Sequence, residues 1–222
     1  MKPYIIIGVI LLVIVVMYQV FYNRFTRTLS TLLYKKFDFD ASMKKLNSFE
    51  AKLFMGKRRR FLFYVDAYIL KNNEEMMNDL FRKNQNLKFS YGQQVSLNTK
   101  LLQFFIDVGN KEQALEHYNN LKKLSEMIDN KHMDNTMQNA EMLVEVEINK
   151  NPNYLKNILS LIDKTDNDMI RGIYYFRAAK CAHYSNDKRA IDKYLKKARN
   201  LTSGSIFVKQ IDKAIADNSL LD

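Results

Sequence analysis

The sequence predicts an all-α protein: a single N-terminal transmembrane helix followed by a stack of antiparallel αα-hairpins. Three observations carry this prediction. Six glycines and two prolines in 222 residues are too few for the turns of an all-β fold, whereas helical hairpins can be joined by short polar loops. Apolar residues recur at steps of three and four through most of the chain, the period of a helix with one buried face. Near the N-terminus that period gives way to an unbroken apolar run, IIIGVILLVIVVM, within residues 4–22.

That run is long enough to span a bilayer. Its nineteen residues reach ~28 Å as a helix, against a hydrocarbon thickness of about 30 Å. Only a helix satisfies its own backbone groups in that environment. Gln19 is its one strongly polar side chain, and Tyr4, Tyr18, Phe21 and Tyr22 suit the two interfaces. A cleaved signal peptide is the rival reading, but the exit MYQVFYNRFTR offers no small-residue cleavage site. The organisation expected is a tail over 1–3, the membrane helix over 4–22, a basic juxtamembrane helical segment over 23–57 and a helical-repeat domain over 58–222.

Charge sets the expected orientation. Only Lys2 and the α-amine precede the apolar run, whereas Arg24, Arg27, Lys35 and Lys36 come after it, and the more basic flank stays in the cytoplasm. The net charge of +11 is concentrated near the membrane: residues 1–100 hold 17 Lys/Arg against 7 Asp/Glu, and residues 101–222 hold 18 against 17. The basic cluster Lys57, Arg58, Arg59 and Arg60 completes the set of expected contacts to anionic lipid, each worth about 1 kcal/mol near the surface. A basic protein also raises nucleic acid as a partner. The near-neutral second half, with no glycine-rich phosphate loop, RNP-like strand or zinc-finger spacing, argues against it.

The hairpins are clearest in residues 93–125. Leu97, Leu101, Phe104, Phe105 and Val108 recur with helical spacing, Gly109-Asn110-Lys111 breaks it, and Ala114, Leu115, Tyr118, Leu121 and Leu124 resume it. Gly109 can take the left-handed conformation that ends a helix, and Ala114 permits close approach of the second. Phe105, Gly109, Ala114 and Tyr118 together resemble the tetratricopeptide repeat family, which places a large residue, then Gly, then Ala, then an aromatic at these offsets. The family's early Trp and terminal Pro are missing. The resemblance implies a right-handed solenoid of such hairpins whose concave face binds a protein. It points to Thr99, Gln103 and Ile106, on the first helix of the best-matched hairpin, as the partner groove.

Further copies are degenerate. Ala190 and Tyr194 repeat the Ala and aromatic, with Ser185 in place of Gly and Cys181 in place of a large aromatic. Residues 149–153, NKNPN, are the expected turn between a helix with Met142, Leu143 and Val146 and one with Leu155, Ile158, Leu159 and Ile162. An earlier hairpin turns at Asn72-Asn73, and a terminal helix is expected over 206–216. Residues 38–52 are expected to form a short amphipathic helix packing back on Phe25, Leu29, Leu32 and Leu33, which would make the anchor part of the fold. Stacked hairpins of this kind complete one another's cores.

No catalytic, metal or cofactor constellation is legible. His117, His132 and His183 are scattered, no HExxH, CxxC or GxSxG occurs, and Cys181 is alone. Cys181 reads as a small core residue, and Met76, Met77, Met127, Met133, Met137 and Met142 as core at helical spacing. The acidic run 126–147 and the basic run 188–199 are expected to complement each other or to remain solvated faces, the functional alternative being that the acidic face receives a basic partner helix. The expected function is therefore a non-enzymatic, membrane-anchored protein-interaction scaffold with its domain in the cytoplasm. The opposite orientation would make it an extracytoplasmic chaperone-like accessory for secreted or envelope clients.

Overall fold

The computed structural model describes residues 3–127, 131–205 and 207–222. The chain is 82% helical, with no strand among the described residues. It divides into two compact units, Met1–Leu97 and Asn98–Asp222.

The first unit begins with α1 (Pro3–Tyr34), then α2 (Phe39–Leu46), α3 (Phe49–Phe54), α4 (Lys57–Lys71) and α5 (Glu74–Lys83). Among the described residues, one helix, over Ile7–Tyr34, is long and apolar enough to cross a membrane. Its side chains from Ile7 to Phe21 are exposed, unlike those of an apolar helix in a soluble core. Beyond Tyr22 the same helix changes character, and Phe25, Leu29 and Leu33 are buried with Leu46, Ala51, Met55 and Ala67. Residues 23–57 thus share a core with α4. Phe37, at a φ of 52°, turns the chain back after α1. Asp38 then caps α2 by accepting from the Ala41 N–H at 2.9 Å.

Residues 38–52 do pack on α1, as their pattern predicts, but as two helices. Asn47 and Ser48 interrupt them, and Ser48 Oγ accepts from the Ala51 N–H at 3.2 Å to start α3. The hairpin α4–α5 turns at Asn72, which adopts the left-handed conformation, and Asn73 caps α5. Phe61 joins the two helices by an edge contact to Phe81, with ring centroids 5.1 Å apart.

Helix α6 (Tyr91–Asp107) leads into the second unit, which continues with α7 (Lys111–Ser125), α8 (Lys131–Leu143), α9 (Leu155–Asp163), α10 (Asp168–Tyr184), α11 (Lys188–Leu201) and α12 (Phe207–Ala216). Packing follows chain order: α7 on α8, α9 on α10, α10 on α11 and α11 on α12. The Gly109 turn forms as expected, with a φ of 79° and the Asn110 N–H donating to Phe105 O at 2.8 Å. At the α10–α11 turn, where Ser185 replaces the glycine, Asn186 takes the left-handed position at 58° instead. Helices α10 and α11 approach so closely that a Cβ on Gly172 would lie 2.4 Å from Thr202 Cγ2. Their shared core includes Tyr175, Ala178, Ala182, Ile191, Tyr194 and Ala198.

One expectation of packing is corrected. Leu115, assigned to the apolar face of α7, is 36% exposed, whereas Ala114 and Leu121 on the same helix are fully buried, so the buried face runs through those two residues. The charge runs 126–147 and 188–199 form no ion pair with each other among the described residues and leave most of their charged side chains exposed, the second of the outcomes expected for them. Arg199 instead bonds Asp212 at 2.5 Å, and Lys197 lies over the Tyr175 ring at 4.8 Å. The α12 helix forms as expected from Phe207, while Ile206 lies outside the described residues.

His117 on α7 supplies a pH probe of the hairpin. Its ring stacks on Phe105 with centroids 5.4 Å apart, and its Nδ1 lies 2.9 Å from Asn98 Oδ1. Burial depresses its pKa from 6.5 to about 4. The unfolded chain therefore takes up a proton before the folded one does, and stability falls as pH drops from about 6.5 towards 4, by at most ~3 kcal/mol. Urea titration of the detergent-solubilised protein across this range is expected to show that slope, and His117→Gln is expected to flatten it.

Candidate membrane surface and binding cavity

The first unit carries a series of side-chain contacts that mark positions along α1. Tyr18 donates from its hydroxyl to Phe54 O at 3.1 Å, and the Phe54 ring also stacks on Phe21. One turn further along, the Arg59 guanidinium lies over the Tyr22 ring at 5.0 Å. Lys45 covers Phe25 at 4.3 Å, and Tyr34 donates to the Asp66 carboxylate. Arg59 and Asp66 are both on α4, so α4 runs alongside α1 in the same direction, away from the apolar run. Its N-terminal turn, which holds four cations and no acid, lies at the end of α1 where that run finishes. Cations there oppose the helix dipole, a cost that a nearby anion relieves.

The expected lipid-contacting residues do not all lie at this level. Arg24 and Arg27 are exposed within two turns of Tyr22, and Lys57, Arg58 and Arg59 are exposed at the start of α4. Arg60 is partly buried, and its Nε has no hydrogen-bond partner among the described residues. Lys35 and Lys36 lie past the far end of α1, ~20 Å beyond Tyr22 at 1.5 Å per residue.

The second unit contains a cavity of about 450 Å³. Helix α6 contributes Gln103 and Asp107, α10 contributes Ile173, Phe176, Arg177 and Lys180, and α12 contributes Phe207, Gln210 and Ile211. Glu147 enters from a π-helical turn, Val144–Ile148, that extends α8. The turn closes with the Asn149 N–H on Val144 O at 2.9 Å. Glu145 holds it by accepting from the side-chain amides of Asn149 and Asn151 at 2.9 and 2.7 Å. One extra residue in a turn re-aims the side chains around it, and such insertions recur at functional sites. Here it brings Glu147 to Lys180, 2.6 Å apart with both side chains largely buried.

Arg177, three residues before Lys180, makes no hydrogen bond or ion pair among the described residues. Burial lowers its pKa, while the charges of Glu147, Tyr174 and Asp107 act in the opposite direction; the guanidinium stays protonated. Asp107 is at the rim, where burial raises its pKa and a 2.7 Å hydrogen bond from Gln103 opposes the rise. The cavity thus has an apolar wall of Ile173, Phe176, Phe207 and Ile211, two glutamine amides, a satisfied ion pair, the unpaired Arg177 cation and the Asp107 carboxylate at the rim. That composition suits an amphipathic occupant held by a few polar groups.

Of the expected partner groove, Gln103 lines this cavity, whereas Thr99 and Ile106 are partly exposed on α6 and do not. Sequence reading missed Glu147, Arg177 and Lys180. A visible signal was the run YYFRAAKCA over 174–182, two cations at a helical spacing of three within an otherwise buried helix. Cys181 is fully buried, and burial with the charge of Glu147 pushes its thiol up to about 12. A thiol so held is a poor nucleophile. No group of three or more potential metal ligands occurs among the described residues. His183 lies 3.6 Å from Asp222, and His132 lies outside the described side chains. Met77, Met133 and Met142 are in the core and Met127 is 73% exposed.

Comparison with family models, curated proteins and solved structures returned no match. The class that the fold defines is an all-α helical protein with one membrane-capable N-terminal helix.

Proposed function

We propose that this protein is a membrane-anchored interaction scaffold whose second unit, a tetratricopeptide-like set of hairpins, receives an amphipathic segment of a protein partner at the cytoplasmic membrane surface. The observation that carries the reading is the continuity of α1. Its exposed apolar stretch passes without a break into the buried positions Phe25, Leu29 and Leu33, so the anchor and first unit are one rigid piece. Arg24, Arg27, Lys57, Arg58 and Arg59 contact anionic head groups, and Lys35 and Lys36 stand clear of them. The cavity supports the protein-binding part of the reading through its apolar wall and unpaired Arg177.

A photo-crosslinking amino acid at Gln103 in the full chain, in cells, tests it. The expected result is a discrete protein adduct that Arg177→Glu abolishes and that the same probe at exposed Leu115 does not give. No adduct at Gln103, or equal adducts at both positions, overturns the binding role. Cysteines at exposed Lys111 and Asp217, in a Cys181→Ser background, report orientation. Protection from an impermeant reagent in intact cells agrees with the cytoplasmic placement, whereas labelling reverses it and makes the protein an extracytoplasmic holder of clients.

A further inference from the structure

Helix α3 packs on α1 but leaves much of its apolar surface uncovered. Ala51 is its one fully buried side chain. Phe49 and Leu53, four residues apart and hence on one face, are 76% and 57% exposed. The adjacent residue, Phe54, is held against Tyr18 and Phe21, both inside the apolar run over 4–22. Phe54 also lies against Phe25, with ring centroids 6.4 Å apart, so it spans the end of the run from Tyr18 to Phe25, beside Arg59 at Tyr22 and Lys45 at Phe25. The order along α1 is aromatic and apolar first, cationic next, which is the order of a bilayer interface read outward.

The backbone agrees with this placement. The Phe54 carbonyl is at the C-terminal end of α3, where helix carbonyls lack a partner within the helix. Tyr18 supplies its hydrogen bond, which a carbonyl placed among lipid chains would need. The acid on α3, Glu50, is held by Ser48 Oγ at 3.3 Å and Lys45 at 3.9 Å. Lys52 is free to extend to head groups on its apolar stem.

We propose that α3 is a second membrane contact, a short interfacial wedge that inserts Phe49 and Leu53 among the lipids beside α1 while Lys52, Lys57, Arg58 and Arg59 engage anionic head groups above them. It rests on reading α1 as a membrane span. Two contacts on one rigid unit fix the tilt and rotation of the first unit on the bilayer, which a lone helix does not.

The test uses the full chain with Cys181→Ser, reconstituted in phosphatidylglycerol-containing vesicles. A nitroxide is attached in turn through Ile14→Cys, Leu53→Cys and Glu75→Cys, and the ratio of oxygen to nickel-chelate accessibility is measured. Glu75 lies past the far end of α4 and is the aqueous reference. The expected result is a ratio at Leu53 severalfold above that at Glu75 and approaching that at Ile14. A Leu53 value equal to that at Glu75, with Ile14 still buried in lipid, overturns the wedge and leaves the anchor standing. Equal aqueous values at all three positions overturn both.

Discussion

Leu29→Ala is expected to destabilise the first unit by about 2–5 kcal/mol, the cost of deleting a fully buried leucine side chain and leaving a cavity. Leu29 is completely inaccessible to solvent and packs among Phe25, Leu33, Leu46, Ala51 and Met55. It lies on the same helix as Leu12, which is 66% exposed, so Leu12→Ala is an internal control that leaves urea stability unchanged. The informative readout is hydrogen exchange. If the anchor is part of the core, Leu29→Ala raises exchange together in α2, in α4 and in α1 beyond Tyr22. A rise confined to α1 would mean that the helix merely adjoins the unit and is not rigidly coupled to it.

Lys180→Met is expected to cost about 3 kcal/mol, because removing one partner of a largely buried pair strands the other charge. The side chains of Lys180 and Glu147 are 11% and 17% exposed, which places the effect at the low end of the range for fully buried pairs. Lys180→Met combined with Glu147→Leu is expected to recover most of the loss, since two apolar groups of similar size cost no desolvation. Urea midpoints of the three proteins in detergent measure the cycle. A single variant as stable as the parent would show that water already solvates the pair, and the cavity would then be an open groove. The same series separates architecture from binding: the double variant keeps the fold and Arg177, so it is expected to retain the Gln103 adduct.

The legible part of this protein was the part whose physics is local. The apolar run announced α1, because spanning length and apolarity are properties of consecutive residues. Asn72-Asn73 and Gly109-Asn110 announced their turns, because the left-handed conformation and side-chain capping depend on the residue at the turn itself. Even the return of 38–52 onto α1 could be read from matching apolar faces. The degenerate copy at Ser185 was harder, since Asn186, one residue on, takes the conformation that glycine would have taken.

The cavity was illegible for a different reason. Its walls come from α6, the π turn, α10 and α12, and the π turn arises in VEVEI, where no pattern at helical period marks an inserted residue. Whether Glu147 meets Lys180 depends on that insertion, and whether Arg177 is left unpaired depends on where Asp107 and Glu147 end up. The wedge shows the same division. Nothing in the sequence distinguishes Phe49, Leu53 and Phe54 from other apolar positions of a short helix, and only the contacts of Phe54 with Tyr18 and Phe21 bring α3 beside the apolar run. Sequence alone determined most of the helices, the turns at Asn72 and Gly109 and the membrane-capable anchor, because propensity, capping and hydrophobic period act within a few residues. Tertiary structure decided which side chains face one another across those helices, because burial and pairing are set by segments that only folding brings together.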